Sequence, residues 1–287
     1  MDSRADDGGG SLIESETELA LDGSTLAETP PRSSSFFLPK MLTVIVPVFN
    51  EAEYFPQLIE QVERYVEKPF RLLLIYDADR DTTARLAREF VRTRPWLELV
   101  RNGRVGLVHA LRTGFSIAGT GPALVVAADG ADDLHNVAEM RRLYAAGNKL
   151  VCATRYATGG DQTGGPRLRR WLSQWVSRFL QKHQAIPVSD ATNSFRLYDA
   201  AIVNEVGIES RHGSTVALEL TAKFAARCDS MAEVPTTRKV DEGAPTRLGL
   251  WKRIKYSWEW FAYALRHRRQ DQRPLAKTHS TRHSSHV

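Results

Sequence analysis

The stretch ALVVAADGADDLHN, Ala123–Asn136, runs from continuous apolar residues into a glycine flanked by Asp129, Asp132 and Asp133. A short Val-rich apolar run closed by turn residues reads as a strand covered on both faces. Crowded carboxylates repel one another. At the mouth of a core strand they cost stability unless a cation or a donor network compensates. The stretch predicts a buried strand whose C-terminal end is an acidic, cation-seeking turn.

The same layout recurs on either side. LTVIVPV (Leu42–Val48), RLLLIYD (Arg71–Asp77), LELV (Leu97–Val100) and KLVCATR (Lys149–Arg155) read as further strands. Between them lie helix patterns from about Glu51 to Val66, from near Asp81, over GLVHALRTGFSIAG to Gly119, and over DLHNVAEMRRLY. This alternation implies an α/β domain with a mostly parallel central sheet flanked by helices. In such sheets ligands bind beyond the carboxyl ends of the strands. Those ends read VPVFNEAE, YDADRDTT, ADGADD and TRYATGG, and three of the four are acidic. No GxGxxG follows the first strand and no GxxxxGK[ST] occurs, so dinucleotide and P-loop readings lose their support.

Composition sets the outer limits. The 287 residues, 42% hydrophobic and 25% charged with a net charge of +5, fit a soluble protein with an anionic partner. The acidic strand ends argue against nucleic acid as that partner. Cys152 and Cys228 are far apart without metal-type spacing, and Cys152 in KLVCATR reads as a small core hydrophobe in a reducing compartment. No run approaches the roughly 20 apolar residues of a bilayer span, and a secretory signal layout is missing, so membrane contact is expected to be peripheral. Residues 1–38 are expected to be disordered, 39–249 to form the folded domain, 250–270 an amphipathic basic helix and 271–287 a disordered basic tail.

The motifs VIVPVFNEAE, YDADRDTT, GLVHALRTGF, ADGADD, ATRYATGG, SDATNSFRLY and EVPTTRKVDEGAPTR occur in this order. Together they make the chain resemble the family 2 glycosyltransferases with the GT-A nucleotide-sugar-binding fold, and among them the dolichol- and polyprenyl-phosphate sugar synthases. The resemblance covers about Leu42 to Leu250. It implies that Pro47, Phe49, Glu51 and Asp77 line the nucleotide; capping of the next helix is the alternative for Asp77 and Asp81, with Asp81 the better N-cap. It also implies an Asp-x-Asp pair at the end of the fourth strand. Aligned through Asp132 and Asp133, Asp129 takes the second place of that pair and Ala127 the first, so one usual carboxylate is missing. Asp129 is then the expected ligand of Mg²⁺ or Mn²⁺ and a nucleotide contact, with Asp132 a direct or indirect contributor.

Arg155 and Arg169 match family arginines of the active site, with Arg167 and Arg170 open as alternatives to Arg169. A guanidinium fork suits phosphate oxygens. Asp129, Arg155 and Arg169 form the expected catalytic set, and Arg169, Asp190 and Arg196 the expected acceptor site. Asp190 orients a hydroxyl or buttresses an arginine, and Arg196 reads equally as an internal partner. Arg238 or Lys239 is expected to serve the diphosphate because Asp241 stands where a basic residue is common, and Thr246 and Arg247 match a mobile-loop pair. Tyr76 and Phe49 are further departures from the family pattern.

Two stretches, RLRRWLSQWVSRFL and LWKRIKYSWEWFAYALRHRR, place tryptophans at helical spacing among basic residues, which suits a helix lying in a head-group layer. The expectation is a metal-dependent inverting transferase. It moves a hexose from a GDP-mannose- or UDP-glucose-type donor to polyprenyl or dolichyl phosphate, peripherally on the cytoplasmic face, at the membrane surface or with a membrane-anchoring partner protein. Two alternatives stay open. One is a soluble hydroxyl acceptor with Glu219 as the base, and the other a non-catalytic nucleotide-sugar-fold scaffold.

Overall fold

The computed structural model describes residues 41–227, 229–239 and 250–267, with residues 169, 250–254 and 256 described by their backbone alone. The expected terminal disordered segments, Cys228, Asp241, Thr246, Arg247 and the side chain of Arg169 lie outside the described residues.

Each predicted strand and helix forms near its expected place. In chain order they are β1 (Leu42–Val48), α1 (Phe55–Tyr65), β2 (Phe70–Tyr76), α2 (Thr82–Val91), β3 (Leu97–Arg101), α3 (Leu107–Ala118), β4 (Pro122–Val125), α4 (Val137–Ala145) and β5 (Leu150–Thr154). Then follow β6 (Asp161–Thr163), α5 (Arg167–Lys182), β7 (Arg196–Asp199), α6 (Ala200–Val206), α7 (Gly213–Ala226), β8 (Met231–Pro235), β9 (Thr237–Lys239) and α8 (Leu250–Arg266). Seven strands form one sheet in the order β3-β2-β1-β4-β7-β5-β8. All its neighbours pair in parallel except β7, which runs antiparallel to both β4 and β5. The short strands β6 and β9 pair separately.

Side chains alternate across the sheet, so each face has its own core. Val44 and Val46 join Phe55, Leu58, Leu72, Met140 and Phe195 on one face. Ile45 joins Leu73, Phe115, Tyr198 and Phe224 on the other. Gly114 lets α3 lie close to that second face, because a Cβ there would sit 2.5 Å from Ile45 Cγ2. Cys152 is fully buried, and burial pushes its thiol up to about 12, so it is an inert core residue as expected.

Two boundaries differ from the pattern, for local reasons. β4 stops at Val125 and Val126 still bonds Ile45 O, but the Ala127 N–H goes to Asp132 Oδ2 at 2.8 Å and the chain leaves the sheet. α1 starts at Phe55 because the preceding turn is tied to α2. Asn50, at φ 58°, gives its N–H to Asp81 Oδ2, and the Glu51 N–H goes to Thr83 Oγ1.

Candidate active site

The carboxyl ends of β1, β2 and β4 open onto a cavity of about 390 Å³. Pro47, Phe49, Glu51, Asp77 and Asp129 line it, joined by Gly106 and, deeper, by Phe115 and Tyr198. Five of the expected nucleotide residues therefore meet in one place. Asp77 also holds that place together. Its Oδ1 accepts from Asn102 Nδ2 and its Oδ2 from the Gly106 N–H, both at 2.9 Å, which folds the β3–α3 loop against β2. Gly106, at φ 117°, turns that loop into α3. A carboxylate has about four acceptor positions, so Asp77 keeps capacity toward a base. Asp81 is the N-cap of α2, accepting from Thr83 N and Ala84 N.

The acidic turn has an internal answer to its repulsion. Arg238 on β9 bonds Asp132 Oδ1 through Nη1, and through Nη2 it bonds Asp129 Oδ2 at 3.1 Å. Asp129 Oδ1 accepts the Ala131 N–H, and Asp133 caps the helical turn at Leu134–Asn136. The Asp132 side chain is 2% exposed with both oxygens engaged. Burial raises its carboxyl, and the nearby Arg238 guanidinium only partly offsets this. Asp129 is 46% exposed. No group of three or more His, Cys, Asp or Glu converges among the described residues. Asp133 is 34% exposed but is held by His135 and lies off the cavity lining, so Asp129 is the turn's carboxylate that faces the first cavity, and the remaining ligands of a dication there would be water and diphosphate oxygens. The expectation that Asp132 ligates a metal directly does not fit, because its oxygens are buried and committed to Ala127 and Arg238.

A second cavity, about 230 Å³, lies between α5 and α8. Its lining includes Arg155, Arg170 and Arg238 and also Trp175, Trp258 and Phe261. Arg155 leaves the end of β5 and is clamped by the fully buried Asp190, Nε to Oδ2 at 2.7 Å and Nη2 to Oδ1 at 2.9 Å. Gln162 and Thr192 accept further bonds from it, and its guanidinium lies over the Tyr156 ring. Burial alone would raise the Asp190 carboxyl, but the facing Arg155 outweighs it and holds it below the ordinary range. Of the two roles open to Asp190, the structure shows it buttressing an arginine. Arg170 reaches the backbone of Gln162 at 2.7 Å.

Arg196 and Glu219 line neither cavity. Arg196 is fully buried and donates to Asn193 O, Ala217 O, Thr221 Oγ1 and Asp190 O, so it joins β7 to α7 and is not an acceptor contact. Glu219 is fully buried and accepts the N–H groups of Glu209 and Ser210, with Lys223 Nζ at 2.9 Å. That network leaves it no path to a substrate hydroxyl. Lys239 is exposed on β9 and gives its N–H to Ala131 O at 3.4 Å. Asn102, Gln162 and Thr192 carry no signal in the sequence, because their partners are set by loop closure. The Arg238 bridge, across 106 and 109 residues, follows no local spacing either.

The comparisons agree with this architecture. Residues 43–207, more than half of the 287, match the model of glycosyl transferase family 2. An undecaprenyl-phosphate 4-deoxy-4-formamido-L-arabinose transferase of Pseudomonas savastanoi pv. phaseolicola is 22% identical over 191 residues, 65% of this chain and 55% of the relative. A bactoprenol glucosyl transferase of Shigella phage SfV is 24% identical over 171 residues, 58% of this chain and 54% of the relative. The chain thus spans about half the length of these curated relatives. The glucosyl-3-phosphoglycerate synthase of Mycobacterium tuberculosis, solved with Mn²⁺, UDP and glucosyl-3-phosphoglycerate, matches at TM-score 0.57 and 15% identity, over 79% of this chain and 80% of that one. The mannosyltransferase PcManGT of Pyrobaculum calidifontis, solved with GDP-Man and Mn²⁺, matches at TM-score 0.57 and 19% identity, over 82% and 66%. By its matched family model and its sheet, the chain belongs to glycosyl transferase family 2 and has the GT-A fold.

Proposed function

We propose that the chain transfers a hexose from a nucleotide-sugar, of the GDP-mannose or UDP-glucose type, to a polyprenyl phosphate, with inversion at the anomeric carbon. The observation that carries this reading is the second cavity, whose lining combines Arg155, Arg170 and Arg238 with Trp175, Trp258 and Phe261. Beside it Leu168, Trp171, Trp175 and Trp258 are 60, 60, 47 and 63% exposed. A phosphate on the arginines and an isoprenoid against the aromatic rings match that combination. Tryptophans at an exposed rim suit the membrane interface. No helix among the described residues is long and apolar enough to cross a membrane; on this reading the exposed tryptophans make a peripheral contact at the cytoplasmic face.

The chemistry is a single displacement. An oxygen of the acceptor phosphate, already anionic at neutral pH, forms the new bond to the anomeric carbon as the bond to the departing diphosphate breaks. The electron pair leaves on the diphosphate, so no general base is required. Pro47, Phe49, Glu51 and Asp77 face the nucleotide. Arg155 and Arg170 hold the acceptor phosphate, and Asp190 fixes the plane of Arg155. Asp129 holds Mg²⁺ or Mn²⁺, which when bound stabilises charge on the diphosphate. A hydroxyl acceptor would need a base, and the buried network of Glu219 withholds the one carboxylate read for that role.

Arg170→Ala tests the reading. The KM for polyprenyl phosphate should rise about tenfold or more while that for the nucleotide-sugar stays within about twofold. An equal rise in both, or none in either, contradicts it.

A further inference from the structure

The carboxylates of the acidic turn already possess a cation. Arg238 touches Asp129 Oδ2 and Asp132 Oδ1, the oxygens that the turn's own N–H groups leave over. Its side chain is 15% exposed, while Asp129 remains 46% exposed. The strand that carries it leans on the same turn, through the Lys239 N–H on Ala131 O. A guanidinium at 3.1 Å from Asp129 Oδ2 holds the charge position that a dication on that oxygen needs. Two cations at one carboxylate oxygen repel each other, so the positions exclude one another. Arg238 also lines the second cavity, as do Arg155 and Arg170, while the Asp129 it bonds lines the first.

We propose that Arg238 is a displaceable internal cation that keeps a dication off Asp129 until a nucleoside diphosphate arrives. The inference rests on the donor reading above. Diphosphate oxygens offer the guanidinium a competing anion in bidentate geometry. Arg238 then leaves Asp129 for the phosphate while keeping Asp132, whose buried carboxylate needs a partner. Metal therefore enters with the nucleotide and not ahead of it.

Mn²⁺ binding followed by electron paramagnetic resonance tests this without reference to turnover. Mn²⁺ is titrated into the wild type, Arg238→Gln and Arg238→Lys, alone and with UDP or GDP. The wild type and Arg238→Lys should bind Mn²⁺ weakly alone, and Arg238→Gln about tenfold or more tighter, within the usual range of coupling between two sites. Wild type that takes up Mn²⁺ alone as tightly as Arg238→Gln overturns the proposal. Where Arg238→Gln does not fold, Asp132→Asn combined with Arg238→Gln removes the buried charge with its partner. That double variant should show the same gain, and the lack of it overturns the proposal. If no form binds Mn²⁺ even with UDP or GDP, the donor reading itself falls and this inference with it, an outcome distinct from failure of the Arg238 exclusion alone.

Discussion

The heaviest dependence on a single contact falls on Asp190 and Arg155. Asp190 is fully buried and Arg155 largely so, and they meet through two short charge-assisted bonds. Removing one partner from such a pair leaves an uncompensated charge and typically costs about 3–5 kcal/mol. Asp190→Ala is therefore expected to lose stability on that scale in urea denaturation. The pH dependence has a definite sign. The Asp190 carboxyl sits below its ordinary value, so its contribution is present above the unfolded carboxylate value of 3.8 and is lost as pH falls through the lowered one. The stability gap between wild type and Asp190→Asn should stay flat from about pH 8 to about pH 5 and close only at more acid pH. A gap that closes near neutrality would show that Arg155 does not hold the carboxylate. Asp129, Asp77 and Arg155 could be read as candidates because each follows a predicted strand, and the structure places the first two on one cavity and Arg155 on the other. The role of Asp190 was legible only as one of two alternatives, since its partner is fixed by the fold.

At the scale of elements, what the sequence revealed depends on how long each element is. β1 has the bounds its apolar run predicts, and α2 opens at the Asp81 cap as its pattern predicts. The three-residue strands β6 and β9 are too short to show a period, and β7 reads as part of a motif rather than as a strand. β4 is shorter than its apolar run because a side chain, Asp132, takes the backbone donor that would have continued it. The helix α8 forms over most of the expected 250–270 stretch. Trp260, Phe261 and Ala264 are buried while Trp258 points out, since α7 and α5 decide which side is covered. Helix α3 is set by Gly114 against Ile45 and Ile75. Gly114→Ala should destabilise by about 1–3 kcal/mol, the usual cost of overpacking, although alanine is the better helix former. Denaturation that shows a gain in stability would mean that α3 can move off β1.

For the whole molecule, Arg238 on the second cavity is bonded to Asp129 on the first, and the second cavity is lined in part by exposed tryptophans on two different helices. That arrangement was only partly legible. The amphipathic stretches could be read as core or as interface, and only packing shows that Trp171 and Trp258 stay outside. If this face meets a membrane, Trp171→Ser combined with Trp258→Ser should weaken binding to anionic vesicles in cosedimentation by about tenfold or more and leave the thermal midpoint nearly unchanged. Equal binding by the variant would detach the membrane from the account. The central claim, transfer from a nucleotide-sugar to a lipid phosphate, is tested most directly by nucleoside diphosphate release. A panel of UDP- and GDP-hexoses is incubated with Mn²⁺, with and without short-chain polyprenyl phosphate. The expected result is release that requires the lipid phosphate, with an inverted glycosyl-phospholipid as product. Release from no donor, or release that a soluble hydroxyl acceptor supports equally well, would contradict it.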